Sequence, residues 1–426
     1  MTVRPSLPAP VLDLIGIFNQ AGFECFVVGG FLRDFFLGRP TRDVDLATSA
    51  RPPQVADLLS PYYRTLPTGL AHGTLTVLAD QERIEVTTFR REGVYSDFRH
   101  PDEVWFTDSL EEDLARRDFS INAMAWHPDR GLIDPWQGRP DIDRKLIRAV
   151  GVAHKRFGED ALRILRALRF SSELGFAIEP VTRQALRKQG PLLAHVARER
   201  IRLELEGLLT GPHVEKVLAG YARILYRIIP ELASLSKAQY DAAIKRVAQV
   251  SPDPLKRMAA LLLDLDEILC AGTAQAVARS LRFSKVQTER IGLLAGSRTL
   301  KLDSNRRSVW RALHALGQEV FFDVLDLWRA DQAASGPPEE VSDALEQIAE
   351  TANQLLAEGR NLSLADLAID GNDLQAQGEK GPAIGRRLER LLEAVCVDGL
   401  SNDRQTLLNW RDPQASENIG SGHPHP

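Results

Sequence analysis

The stretch FVVGGFLRDFFLGRPTRDVDL, residues 26–46, decides how the rest of this 426-residue chain is read. Phe26 to Val28 has the length and apolar character of a buried strand and ends on Gly29 and Gly30. Residues 31–37 read as a helix that stops at Gly38. Glycines between a strand and a helix N-terminus let a phosphate reach the backbone, where free N–H groups and the helix dipole favour negative charge. Arg33 adds a guanidinium fork in the first turn. Asp43 and Asp45 flank Val44 in a second strand-like run, and residues two apart in a strand point to one face. Neighbouring carboxylates repel unless a cation lies between them. Mg²⁺ suits that place beside a phosphate, being hard, oxygen-seeking and able to keep several waters. Taken singly, Gly-Gly is commonly a tight turn and Asp-x-Asp a solvated loop. The stretch is also not the dinucleotide fingerprint, which needs a third glycine and an acidic residue about 20 positions on.

Composition sets the frame around it. The length implies two to four domains, and 44% hydrophobic with 26% charged residues describes an ordinary soluble protein. Cys25, Cys270 and Cys396 are odd in number and scattered through apolar runs, which suits a reducing compartment and excludes a disulfide framework. No zinc-ligand spacing occurs among them and the nine histidines. The opening MTVRPSLPAP lacks the plan of a signal peptide, and the best apolar run, Met258 to Leu263, meets Asp264 and Asp266. The expectation is a cytoplasmic protein with no membrane span; nothing in the sequence reports oligomeric state. A net charge of −5 conceals a basic middle, because residues 144–206 hold fourteen Lys and Arg against seven Asp and Glu. Such a middle looks like a phosphate-facing surface, with solvated arginine-rich helix faces as the plainer reading.

Taken in order, residues 11–21 predict an amphipathic helix with Val11, Leu12, Ile15 and Phe18 in one stripe. A helix from Pro52 to about Ser60 and strands at 63–66, 74–78 and 84–89 follow. The order β-α-β-α-β-β-β suggests a small mixed sheet. Residues 90–106 carry seven charges of both signs before Val104 and no sustained period, reading as a mobile loop or a plain surface connection. In DLARRDFSINAMAW, residues 113–126, Arg116, Arg117 and Asp118 precede an apolar stretch read as helical. From residue 150 to about 335 only helical periodicity is found. FGEDALRILRALRFSSELGF, residues 157–176, reads as one helix with Ala161, Ile164, Leu165 and Leu168 buried. Asp160, Arg163, Arg166 and Arg169 recur every three residues along it, so Asp160 and Arg163 are neighbours. Without context that is an exposed pair worth roughly a few tenths of a kcal/mol.

Together the glycine pair, Arg-Asp, Leu-Gly and Asp-x-Asp resemble the signature of the DNA polymerase β-like nucleotidyltransferase superfamily. The version is that of class II tRNA nucleotidyltransferases (the CCA-adding family) and bacterial poly(A) polymerases. RRDFSINA is similar to the second motif of that family, with Ser120 in place of Thr. The string from Glu159 to Arg163 resembles its EDxxR motif, and residues 197–208 resemble its helix-stabilising fifth motif through Glu199, Arg200 and Glu204.

The resemblance implies an α+β protein: a small mixed-sheet nucleotidyltransferase head (1–149), then an elongated all-α neck (150–212), body (213–335) and RNA-contacting tail (336–411), with a disordered terminus (412–426). It implies addition of C, C and A to tRNA from CTP and ATP with release of pyrophosphate. Asp43 and Asp45 would hold Mg²⁺. Gly30, Arg33 and Arg117 would meet the nucleotide, Asp118 its ribose, and Asp160 with Arg163 the base. Arg166 and Arg169 would hold phosphates or the RNA end, and the loop at 90–106 would serve the last addition. The base chemistry agrees independently. Cytosine and adenine each present an amine donor beside an unprotonated ring nitrogen, matching a carboxylate plus a guanidinium. Uracil and guanine present the opposite order, and an unmatched buried polar group costs about 1–3 kcal/mol. Bacterial poly(A) polymerases share the head motifs, but no long basic C-terminal extension is present here. A-only and CC-only members of the family share more. A non-catalytic RNA binder would gain nothing from two repelling carboxylates. No His-Asp phosphohydrolase pattern appears in the helical half. AASGPPEE at 333–340 reads as a linker, and a glycine-rich turn with Lys380 precedes a helix ending near Val397.

Overall fold

The computed structural model describes residues 4–41, 43–79, 82–92, 104–265, 270–335, 343–360 and 362–412. The expectations for the charged loop at 93–103, the linker from 336 and the terminus from 413 lie outside those residues. The chain forms two compact units, one holding residues up to 236 with 252–254 and 277–284, the other holding the remainder.

The first unit begins with α1 (Ala9–Gln20), β1 (Cys25–Val28), α2 (Gly30–Phe36), β2 (Asp45–Thr48), α3 (Pro52–Leu59), β3 (Arg64–Gly69), β4 (Thr74–Ala79) and β5 (Glu82–Thr88). A hairpin of β6 (Arg90–Glu92) and β7 (Val104–Phe106) closes the base of the charged loop, and α4 (Leu110–Ala115) follows. β8 (Ala125–His127) and β9 (Gly131–Ile133) complete a seven-stranded sheet of order β3-β4-β5-β2-β1-β8-β9. It is mixed, since β2 runs parallel to β5 and the other neighbours are antiparallel. In the β1–β2 pair Phe26 faces Ala47 and Val28 faces Asp45, so these four share one face. Phe26, Val28 and Ala47 pack there with Phe89, Leu110, Leu114 and Ala125 under α4. Asp45 therefore continues an apolar row at the end of a strand whose other residues are buried.

Beyond the sheet come α5 (Gly138–Asp143), β10 (Leu146–Ile147), α6 (Ala153–Glu159), α7 (Leu162–Leu174), β11 (Ala177–Ile178), α8 (Pro180–Gln189), α9 (Arg198–Thr210), α10 (Val214–Gly220) and α11 (Ala222–Ile228). Helix α7 is buried around most of its circumference and crosses α9 closely. The crossing is permitted by two missing side chains on α9 and its C-cap. A Cβ on Gly207 would lie 2.5 Å from Arg169 Cδ, and one on Gly211 would lie 2.2 Å from Ser172 Oγ and 2.6 Å from its backbone carbon. The second unit is helical. In it Asp264, which ends the apolar run at 258–263, pairs at 2.8 Å with the fully buried Arg246, and that arginine also pairs with Asp331 at 2.6 Å. No helix among the described residues is long and apolar enough to cross a membrane.

The α+β class stands, and four local expectations are corrected. The stretch 119–126 is a single 3-10 turn, Ser120–Asn122, leading into β8, because it is buried on both sides and joins the sheet between β1 and β9 instead of presenting a helical stripe. The stretch 157–176 is two helices: Asp160 leaves helical geometry (φ −133°, ψ 103°) and its Oδ1 accepts from Leu162 N at 3.1 Å, capping α7. A short parallel pair, β10 with β11, sits where no strand was read. In α1 it is Leu14, not Leu12, that joins the buried stripe, Leu12 being exposed.

Gly211→Ala is expected to force α7 and α9 apart and cost about 1–3 kcal/mol, as overpacking does. The midpoint of urea unfolding reads this directly, and an unchanged midpoint would show that the helices do not depend on the close approach.

Candidate functional site

A polar cavity of about 710 Å³ opens in the first unit, bounded by Gly29, Gly30 and Asp45 on the sheet side and by the arginines of α7 on the other. Eight arginines and four carboxylates line it, so it favours an anionic occupant. The sheet side follows from local backbone. Gly29 has φ +80°, and a Cβ there would lie 3.4 Å from both Arg117 Nη1 and Asp45 Oδ2. Any side chain at this position would be strained and would fill the space where those opposite charges converge. Arg33, in the first turn of α2, donates to Asp34 at 3.0 and 2.7 Å and to Asn122 Oδ1 at 2.9 Å.

Asp45 stands at the end of β2, in register with Glu85 of β5. Burial, then Glu85 and Asp43, push its carboxyl up to about 6, with Arg117 pulling the other way. Asp43 lies two residues earlier, exposed and outside the cavity lining. A cation would relieve this crowding. No group of three or more His, Cys, Asp or Glu side chains among the described residues is arranged to hold a metal, so an ion here would rest on the two aspartates and on ligand oxygens. That donor set fits Mg²⁺, which takes one or two carboxylates beside phosphates and water.

The RRD segment is anchored by a residue the sequence reading passed over. Asp113, buried in α4, accepts from Arg116 at 2.9 and 2.8 Å, from Arg117 at 3.2 Å and from the Arg90 backbone N–H at 3.3 Å. Burial alone would raise its carboxyl, but Arg116 and Arg117 outweigh that and hold it below the usual carboxylate range. Asp118 is also buried. Its Oδ1 accepts from Phe119 N at 2.7 Å and Asn122 at 3.2 Å, and its Oδ2 accepts from Arg166 Nε and Nη2, each at 2.8 Å. Burial works against this charge too, and Arg166 again prevails, holding the carboxyl low. Asp118, the carboxylate expected to meet a ribose, lines the cavity and holds Arg166 of α7.

The α7 side differs in pairing from the sequence expectation. Asp160 and Arg163 are close in sequence but bind separate partners. Asp160 pairs with Arg200 of α9 at 2.8 Å. Arg163 donates to Glu159 at 2.8 Å and to the Arg116 and Arg156 carbonyls at 3.0 and 3.2 Å. Arg166 also reaches Glu204 at 3.5 Å, while Arg169 bonds Glu204 at 2.7 Å and Glu173 at 3.3 Å. Arg33, Arg166 and Arg169 all stand over the ring of Phe170, at 5.0, 5.3 and 4.8 Å from its centroid. All the residues singled out from the sequence except Asp43 line this one cavity: Gly30, Arg33, Asp45, Arg117, Asp118, Asp160, Arg163, Arg166 and Arg169. Arg200 and Glu204, read as helix stabilisers, hold the ladder directly. Phe170 and Glu173 were visible only as the i+1 and i+4 neighbours of Arg169.

Residues 25–148 match the family described as "Poly A polymerase head domain". Residues 175–235 match "Probable RNA and SrmB- binding site of polymerase A", and 259–411 match a second tRNA nucleotidyltransferase domain. A CCA-adding enzyme of Latilactobacillus sakei is 38% identical over 403 residues, spanning 94% of this chain and 96% of its own. The crystal structure of the Bacillus stearothermophilus CCA-adding enzyme in complex with CTP superposes with a TM-score of 0.76 at 30% identity, covering 97% of this chain and 98% of that one. The Thermotoga maritima CCA-adding enzyme complexed with tRNA shares the fold, with a TM-score of 0.62 at 20% identity over 98% and 97% of the two chains.

The raised carboxyl of Asp45 has a measurable consequence. It ionises near 3.8 when unfolded and near 6 when folded, so between those values the folded form holds the extra proton and stability falls as pH rises. Asp45→Asn removes the penalty. In metal-free protein the variant should melt above wild type at pH 7.5, and the gap should close as pH falls toward about 4. A gap independent of pH would contradict this.

Proposed function

The chain belongs to the CCA-adding enzyme family of nucleotidyltransferases, which extend the 3′ end of tRNA with C, C and A from CTP and ATP; from that premise we propose how its own residues carry the reaction. The observation that carries the proposal is the shared cavity. Asp45 and the Asp160–Arg163 pair face one space of nucleotide size, so a single nucleoside triphosphate can have its phosphates at the sheet and its base at α7. Arg117 and the Gly29–Gly30 backbone lie where the triphosphate would sit, and the excess of arginines offsets its charge.

The family generally uses divalent metal ions. Asp43 and Asp45 are the residues that would hold Mg²⁺. When bound, such ions supply Lewis-acid polarisation of the phosphate and of the attacking hydroxyl. The tRNA 3′-OH attacks the α-phosphorus in line and gives up its proton to solvent; the new phosphodiester P–O bond forms as the bond from the α-phosphorus to the α–β bridging oxygen breaks, and pyrophosphate leaves with that oxygen. Asp160 accepts from the exocyclic amine of cytosine or adenine and Arg163 donates to the adjacent ring nitrogen. Arg200 orients Asp160, and the Arg116 and Arg156 carbonyls orient Arg163. In this arrangement Arg166 and Arg169 set the position of α7, with the Arg166–Asp118 contact linking base selection to the sheet.

The test uses tRNA lacking CCA and tRNA ending in CC, with each labelled nucleoside triphosphate supplied singly and together. Products of defined length containing C and then A are expected, with UTP and GTP excluded. Asp43→Ala should abolish incorporation while tRNA binding persists. Long A ladders, A-only products or an active Asp43→Ala enzyme would each overturn part of this assignment.

A further inference from the structure

Four carboxylates line the polar cavity, and three of them have a role or a full set of partners: Asp45 lies where a cation would, while Asp118 and Asp160 each meet an arginine fork and a backbone N–H. Glu173, in the last turn of α7, is the fourth. Among the described residues its carboxylate meets one donor, Arg169 Nη1 at 3.3 Å. It packs against α9, where a Cβ on Gly207 would lie 3.5 Å from Glu173 Oε1. The charges facing it are Arg169 on its own helix, Arg33 and Asp34 of α2 and Glu204 of α9, and Arg39, just beyond α2, donates to its backbone carbonyl at 3.1 Å. Burial raises its carboxyl, Arg169 and Arg33 oppose this, Glu204 and Asp34 add to it, and the net shift is upward. Asp118 in the same cavity goes the other way because the Arg166 fork and two further donors answer it.

Arg169 divides its donors between two carboxylates. Glu204 takes Nε at 2.7 Å and fixes the guanidinium, while Nη1 goes to Glu173 by the longer contact. Arg169 and Glu173 both line the cavity. At the rise of an α-helix, Glu173 lies ~20 Å along the axis from Asp160. With the base at Asp160 and Arg163, the terminal phosphates of a triphosphate fall toward Arg169 and Glu173. Arg33, which stands over the same Phe170 ring as Arg169, faces this end from the sheet side. A carboxylate placed there has the sign of a phosphate and binds the donor that a phosphate would take.

We propose that Glu173 is a built-in competitor for the terminal phosphates of the incoming nucleoside triphosphate, holding Arg169 Nη1 until a phosphate displaces it. The proposal rests on the reading of this cavity as the nucleotide site. Glu204 keeps the Arg169 guanidinium oriented during the exchange, so only the Nη1 contact changes hands. The displaced carboxylate then lies beside phosphate oxygens with its arginine gone, which raises its carboxyl further, and it takes a proton from solvent. Triphosphate binding is thereby linked to proton uptake at Glu173, and affinity falls as pH rises.

The test measures dissociation constants for CTP and CMP by calorimetry from about pH 5 to 8, with Mg²⁺ present and tRNA absent, for full-length wild type, Glu173→Gln and Glu173→Asp. Comparing wild type with Glu173→Gln, which keeps the side-chain shape, cancels the titration of the nucleotide and of Asp45. At about pH 7.5 the variant should bind CTP about fivefold or more tighter than wild type, and the ratio should fall toward one as pH falls and the wild-type carboxyl is protonated. CMP, which lacks the terminal phosphates, should bind both alike. Glu173→Asp keeps the charge and should retain the pH dependence. Equal CTP affinities at pH 7.5 would overturn the proposal. So would an advantage of Glu173→Gln that is the same at every pH, that extends equally to CMP, or that Glu173→Asp reproduces without pH dependence. If wild type binds no CTP at all, the reading of the cavity as a nucleotide site fails and takes the proposal with it.

Discussion

The arrangement of the polar cavity depends on one ion pair, buried Asp118 with half-buried Arg166. Asp118 belongs to the segment that follows α4 over the sheet, and Arg166 to the helix opposite. A carboxylate this deeply placed costs several kcal/mol unless its lone pairs are answered, and removing one partner of such a pair costs about 3–5 kcal/mol. Here every acceptor position is used: Phe119 N–H and Asn122 on one oxygen, the Arg166 fork on the other. The position of α7 against the sheet is thereby fixed, and with it the distance between Asp45 and the Asp160–Arg163 pair.

From that anchor the charges propagate outward in matched steps. Glu204 of α9 spans Arg166 and Arg169, Glu173 takes the far side of Arg169, and Arg200 holds Asp160. Phe170 supplies a common surface for three guanidiniums that would otherwise repel. Most donors of the ladder are committed to protein groups, Glu159, Asp118, Glu204, Glu173 and Asp160 among them, so the cavity is preorganised. Asp45 is the exception. It is crowded by like charge and pushed toward protonation, as expected of a site completed by a cation.

The parts of this arrangement that are local in sequence were legible from the residues. Strand, Gly-Gly and helix, then Asp-x-Asp, are set by backbone chemistry over twenty positions. The break at Asp160 was hidden because the apolar stripe from Ala161 onward runs smoothly into the preceding Phe157, although an aspartate two residues before a helical N–H is a capping signal. The stretch around Ala125 was read as helical because Ala123 to Trp126 are all apolar and buried, which erases the alternation that marks a strand. The pairs Asp160–Arg200 and Arg169–Glu204 join positions about forty and thirty-five apart. No periodicity reports such contacts. Gly207 and Gly211 showed four-residue spacing, yet only the crossing of α7 shows what that spacing admits.

A double-mutant cycle on Asp118→Asn and Arg166→Gln, read as the dissociation constant for CTP, tests most directly whether this pair sets the cavity. Each single substitution should weaken CTP binding and the double should be no weaker than the worse single, giving a coupling energy of about 1 kcal/mol or more. Effects that simply add, to within about 0.5 kcal/mol, would contradict the account.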